Sequence, residues 1–202
     1  MFSHMKRFFE LLQEDAKAYG RERLTVSFFI TSLFGLNTFS AVFLYRLGSA
    51  LIDKGMPWAT LAKVISKYNY WWNSCEIRPH ARIGPGFHVP HPIGVHIGPI
   101  SAGRNLIVHQ NASLVLKDRR LHHLDPHAFP SFGDNVVVGP NAMVLGGVVI
   151  GDDVMIGAGA VVHTDVPAGC RAVGNPARIT PPRTSSIRTD AEGASEKFVA
   201  VS

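Results

Sequence analysis

The chain is poor in the features that would assign it quickly. Two cysteines, Cys75 and Cys170, stand in 202 residues. They are too few and too far apart for a disulfide framework, and a reducing cytoplasm is the default setting. No charged stretch, short apolar run and cleavage site follow one another as a secretory leader would require. Acidic residues are outnumbered, 15 against 20 Lys and Arg, and the formal net charge is +5. Such a balance favours anionic partners such as phosphates. The bases are nevertheless scattered, with Lys117 and Arg119-Arg120 as the densest group, and the reading assigns no nucleic-acid partner.

What is present is a period. From residue 132 to 173 an apolar residue opens every hexad: Phe132, Val138, Val144, Ile150, Ile156, Val162 and Ala168. Tracing the register backwards gives Ile77, Ile83, Val89 and Val95, then, after one extra residue, Ala102, Val108 and Leu114. All fourteen first positions are apolar in a chain that is 46% hydrophobic. An apolar residue at every sixth place fits neither an amphipathic helix nor an alternating strand; it fits a solenoid of short flat sides, each contributing one inward side chain. Second places hold glycine at 84, 103, 133, 139, 151, 157 and 169, which suggests sharply bending corners.

The period divides the chain. Residues 1–72 read as a helical N-terminal domain, 73–180 as the solenoid, and 181–202 as a disordered tail of Arg, Ser, Thr, Glu, Ala and Gly. Val26 to Tyr45 runs twenty residues without a charge, long enough to span a membrane. Gly35-Leu36-Asn37 interrupts it, so two buried helices are expected, with attachment at a membrane surface left open. Helix resumes from Arg46 to Lys67 with a break near Gly55-Met56-Pro57, and Tyr68 to Trp72 forms an aromatic bridge into the solenoid. Residues 117–131 break the hexads and form an extruded loop of the kind that closes active sites. Its His122, His123, Asp125 and His127 lack regular ligand spacing, and no metal is expected.

The ordered set Glu76-Ile77-Arg78-Pro79, Ile83-Gly84-Pro85-Gly86, His91, Gly94, Val108-His109-Gln110 and Val173-Gly174-Asn175-Pro176-Ala177-Arg178-Ile179 resembles the serine acetyltransferase branch of the hexapeptide-repeat acyltransferases. The resemblance covers roughly 36 to 180. It implies a left-handed parallel β-helix behind the helical domain, and transfer of an acetyl group from acetyl-CoA, the co-substrate, to a hydroxyl. His91 stands where the family places its catalytic base, and imidazole suits that task because its pKa lies near neutrality. Glu76, fifteen residues earlier, is the implied orienting carboxylate. His88, His96, Gln110 and His127 are candidate acceptor contacts. Gly139, Pro140, Gly157, Ala158 and Arg178 should border the cofactor, which in the family lies between adjacent subunits. A homotrimer is therefore expected, with a hexamer through the N-terminal helices as a further arrangement.

The family's Arg-His-Pro, which holds the serine carboxylate, is replaced here by Ala128-Phe129-Pro130. The sequence therefore points to a sugar or polysaccharide-precursor hydroxyl as acceptor. Serine O-acetylation and a non-catalytic membrane-associated scaffold stand as the alternatives.

Overall fold

The computed structural model describes residues 2–116 and 128–181. Four helices come first: α1 (Phe2–Ala18), α2 (Val26–Leu33), α3 (Ser40–Ile52) and α4 (Trp58–Asn73). Thr25 caps α2 by accepting the Phe28 N–H at 3.2 Å. The break foreseen at Gly35-Leu36-Asn37 is held by the Asn37 side chain, which donates to Thr31 Oγ1 and Ser32 Oγ at 3.0 and 3.1 Å. No helix among the described residues is long and apolar enough to cross a membrane.

The expectation of two buried helices holds for α3 and fails for α2. Six consecutive residues of α3, Ala41 to Arg46, are buried. The α2 face made by Val26, Ile30 and Leu33 is exposed, because α2 packs inward through its opposite side at Ser32. The aromatic bridge from Tyr68 to Trp72 is the end of α4, not a separate connector.

The rest is a left-handed parallel β-helix with three faces. Face A stacks Glu76–Ile77, His96–Ile97, Ser113–Val115, Met143–Leu145 and Val161–Val162. Face B stacks Arg82–Ile83, Ser101–Ala102, Ser131–Phe132 and Val149–Ile150. Face C stacks Ile107–Val108, Val137–Val138, Met155–Ile156 and Arg171–Val173, and Arg178–Thr180 turns back antiparallel to close its end.

Each face buries two columns, and the sequence reading found one. Besides the first places, the residues two positions earlier are inside: Cys75, Val95, Ala112, Ala142 and Ala160 on face A, and Phe87, Leu106, Val136 and Val154 on face C. This second column moves two of the expected inward positions. Ile97, not Val95, pairs with Ile77 and Leu114, because the corner after Val89 is two residues longer. Val166, not Ala168, stands against Ile150; Val166 is buried and Ala168 exposed, because the side after Val162 is two residues shorter.

The glycines also act differently from the corner role assigned to them. Positive φ falls in the fourth place of the hexad, at Gly86, Asn105, Asn135, Asp153 and Gly169 after face B and at Asn111, Asn141 and Gly159 after face C. With Val166 in the first place, Gly169 moves from the second place to the fourth; the other second-place glycines have ordinary φ and are required by the neighbouring coil, as a Cβ on Gly84 would stand 2.3 Å from the Gly103 carbonyl oxygen.

One buried ion pair fastens the helices to the first coil. Arg46 donates to both Asp15 oxygens, at 2.7 and 3.1 Å, and to the Ile83 and Gly84 carbonyls at 2.6 Å each. Asp15 also accepts the Phe87 N–H at 2.9 Å. Burial opposes both charges. It pushes the Asp15 carboxyl up against the pull of Arg46, whereas for Arg46 the attraction of Asp15 and Tyr45 outweighs it and keeps the guanidinium charged. Removing one partner strands the other charge. Asp15→Ala is therefore expected to lose about 3–5 kcal/mol in denaturant unfolding; a loss below about 1 kcal/mol would show that water reaches Arg46.

Candidate functional site

Most of the sequence-predicted residues gather on the edge where face C turns into face A. Parallel register on face C places Val108, Val138 and Ile156 above one another, and the His88–Ile107 bridge extends the column to the first coil. The residues two places after Val108, Val138 and Ile156 line the edge from coil to coil as Gln110, Pro140 and Ala158; in the longer corner of the first coil Ile93 takes the corresponding place, and His91 stands two residues before it. Backbone bonds tie the coils directly there, from Asn111 N to Ile93 O, Asn141 N to Gln110 O and Gly159 N to Pro140 O. Arg178, paired with Val173, lies at the far end of the same edge.

His91 occupies the long corner, Pro90 to Gly94, that links Val89 to face A, and it is exposed. The Gly94 N–H donates to the Ser74 carbonyl at 2.8 Å, which seats the corner on the end of α4. His88 flanks it on face C, stacked edge-on against Tyr19 at 4.3 Å. Burial, with His109 nearby, pushes the His88 imidazole below its ordinary value and leaves it neutral at neutral pH. His96 flanks the corner on face A, directly above Glu76.

The expected pairing of Glu76 with His91 is not made. The Glu76 carboxylate lies 3.9 Å from His96 Nε2 and 3.3 Å from Arg78 Nε, and no hydrogen bond or ion pair joins it to His91. The physical reason is the strand register: Glu76 and His96 are the outward residues of adjacent strands on face A, whereas His91 belongs to the corner before that face. His109 joins the cluster unpredicted, although its place beside Gln110 in the hexad could have shown it.

Gln110 presents a second feature. Its Oε1 is buried without a hydrogen-bond partner, and a buried acceptor left unmet costs free energy unless a ligand or neighbouring chain supplies a donor. Glycines 139 and 157 are explained without a ligand. A Cβ on Gly139 would meet the Ala158 nitrogen at 2.8 Å, and one on Gly157 would meet the Val173 side chain at 2.8 Å.

His127 and the other loop histidines lie outside the described residues. Among the described residues no group of three His, Cys, Asp or Glu side chains could hold a metal. Ala128 is buried and Phe129 packs its ring over Gly98, so the described end of the loop offers the edge no charge. Cys75 is buried and its thiol is pushed up to about 12 by desolvation, which removes it as a nucleophile.

The three-faced parallel coil is that of the hexapeptide-repeat acyltransferases, and the bacterial transferase hexapeptide (six repeats) family matches residues 130–164. The chain is 31% identical over 189 residues to the serine acetyltransferase of Bacillus subtilis strain 168, across 91% of this chain and 82% of that protein. Soybean serine acetyltransferase superposes with a TM-score of 0.74 at 30% identity, covering 89% of this chain and 71% of that one. A serine acetyltransferase in complex with CoA superposes at 0.70 with 26% identity, covering 86% and 69%. The chain belongs to the serine acetyltransferase family. It is an acetyl-CoA-dependent O-acetyltransferase.

The packing account of the edge glycines predicts that Gly139→Ala and Gly157→Ala each destabilise the fold by about 1–3 kcal/mol, the scale of overpacking. Thermal unfolding checks it; unchanged melting with weakened CoA binding would assign these glycines to the cofactor instead.

Proposed function

We propose that the protein transfers the acetyl group of acetyl-CoA to the hydroxyl of serine, with the chemistry on the edge lined by His91, Gln110, Pro140 and Ala158. What carries the reading is the convergence of His88, His91, His96 and Glu76 on that edge in a member of this family. The sugar acceptor expected from the sequence has no support in the comparisons, where the reported relatives are serine acetyltransferases. The missing Arg-His pair alone favours it.

A hydroxyl is a weak nucleophile until a base removes its proton. His91 takes that proton as the serine oxygen attacks the thioester carbonyl carbon. The carbonyl oxygen gains the negative charge, which backbone N–H groups at a coil corner stabilise. The carbon–sulfur bond then breaks, and the imidazolium returns the proton to the leaving thiolate. Glu76 places a negative charge beside His96 at the start of face A. Acetyl-CoA supplies the activated acyl group, with its arm along Pro140 and Ala158 toward Arg178. A neighbouring copy of the chain closes this groove, so the working unit is a trimer.

A second assignment of the base rests on one observation: Glu76 is beside His96, not His91. The two separate by mutation. His91→Ala is expected to lower kcat by about a hundredfold or more, the scale of a lost general base, with little change in CoA affinity. His96→Ala should cost far less, and the reverse order would transfer the role to His96.

Thiol release from acetyl-CoA, measured across serine and a panel of nucleotide sugars, tests the acceptor. Serine is expected to give the highest kcat/KM by at least tenfold. Preference for a sugar would overturn the serine reading while leaving the edge chemistry intact.

A further inference from the structure

A cleft of about 190 Å³ lies between α4 and the first coil, at the foot of face A. One wall is a single helical face, Lys63, Ser66, Lys67 and Tyr70, at the i, i+3, i+4, i+7 spacing that brings side chains into line. The opposite wall is Glu76, Arg78, Pro79 and His80. Two lysines and one arginine thus face a single carboxylate. That carboxylate is already engaged by Arg78 at 3.3 Å, and among the described residues neither Lys63 nor Lys67 has an ion-pair partner. The cleft carries a surplus of positive charge in a concave junction between two domains, where small anions are commonly received.

This surplus adjoins the histidine cluster through one residue. Glu76 belongs both to the cleft wall and to the histidine cluster, with Oε1 toward Arg78 and Oε2 toward His96. Among the described residues the edge offers no fixed cation near the first coil: burial lowers the His88 imidazole, and Ala128 and Phe129 are apolar. The anionic portions of CoA are assigned a different address, because Pro140, Ala158 and Arg178 lie two, three and five strand spacings away.

We propose that the cleft of Lys63, Lys67, Tyr70, Arg78 and His80 binds the carboxylate of the acceptor and holds it beside Glu76. The proposal rests on the serine reading and names the part of the chain that recognises the amino acid. Lys63 and Lys67 supply charge, Arg78 a planar donor pair shared with Glu76, and Tyr70 a hydroxyl donor.

Steady-state kinetics on the full chain tests it with the double variant Lys63→Ala, Lys67→Ala. The expected result is a KM for serine raised tenfold or more, with kcat at saturating serine and the KM for acetyl-CoA within about twofold of wild type. Serinamide, which has no carboxylate, is expected to react equally with both proteins, and Lys67→Arg to restore much of the serine affinity. An unchanged serine KM overturns the proposal. So does an equal rise for serinamide, or a rise confined to acetyl-CoA, which would give the cleft to the CoA phosphates. If wild-type protein releases no thiol with serine, the serine reading fails on its own, and the cleft is read without turnover. Acetate titrated as a carboxylate probe should then give saturable nuclear magnetic resonance shifts at Lys63, Lys67 and His80 that vanish in the double variant. Absence of saturable shifts in the wild type overturns the cleft as well.

Discussion

Everything in this molecule depends on how closely one coil can sit on the next. Adjacent parallel strands are held at about 4.8 Å by backbone hydrogen bonds, and the carbonyl of one coil then fills the space where a side chain of the coil below would begin. Glycine at Gly84, Gly133 and Gly139 meets that limit by having no Cβ. The interior is filled by the paired buried columns, one large and one often small, as in Leu114 with Ala112 or Val162 with Ala160. Because the faces are fixed this tightly, variation is confined to the corners. Chemistry-bearing residues are found there, and the corner from Pro90 to Gly94, two residues longer than its fellows, carries His91 clear of the stack.

The period made the fold legible, and it did so because a solenoid repeats its physical environment. A given place in the hexad meets the same neighbours in every coil, so one rule applies fourteen times. The same reasoning explains its failures. Counting in sixes cannot see a corner that gains or loses residues, so it puts Val95, which is also buried, in the first place that Ile97 holds, and exposed Ala168 in the place of Val166. Glycine was read as the bend because of its usual conformational freedom, whereas asparagine and aspartate make many of the bends here. Asn105 donates to Asn135, which donates to Asp153, at 2.8 and 3.0 Å, so a ladder of side chains supports the left-handed backbone at that corner.

At the site, the resemblance identified an edge more securely than it identified contacts. Gln110, Pro140 and Ala158 fall into one column, which follows from register, whereas the longer first corner puts Ile93 in that column and His91 two residues before it. The partner of Glu76 does not follow from a fifteen-residue spacing, because outward residues of stacked strands meet each other before they meet a corner. The cationic cleft was out of reach for a further reason. It joins a helix to a coil, and no periodicity relates Lys63 and Lys67 to Arg78.

The antiparallel return of Arg178 to Thr180 on Arg171 to Val173 gives the prism a finished end. A stack of parallel strands presents unpaired amides at its last coil and would accept a strand from any chain that offered one. Folding its own end back on itself occupies those amides on face C and makes the number of coils a property of the chain. Duplicating one eighteen-residue turn within the regular stretch from 132 to 162 would therefore lengthen the body by a single strand spacing. It would move the terminal cap outward and leave the histidine edge of the first two coils where it is.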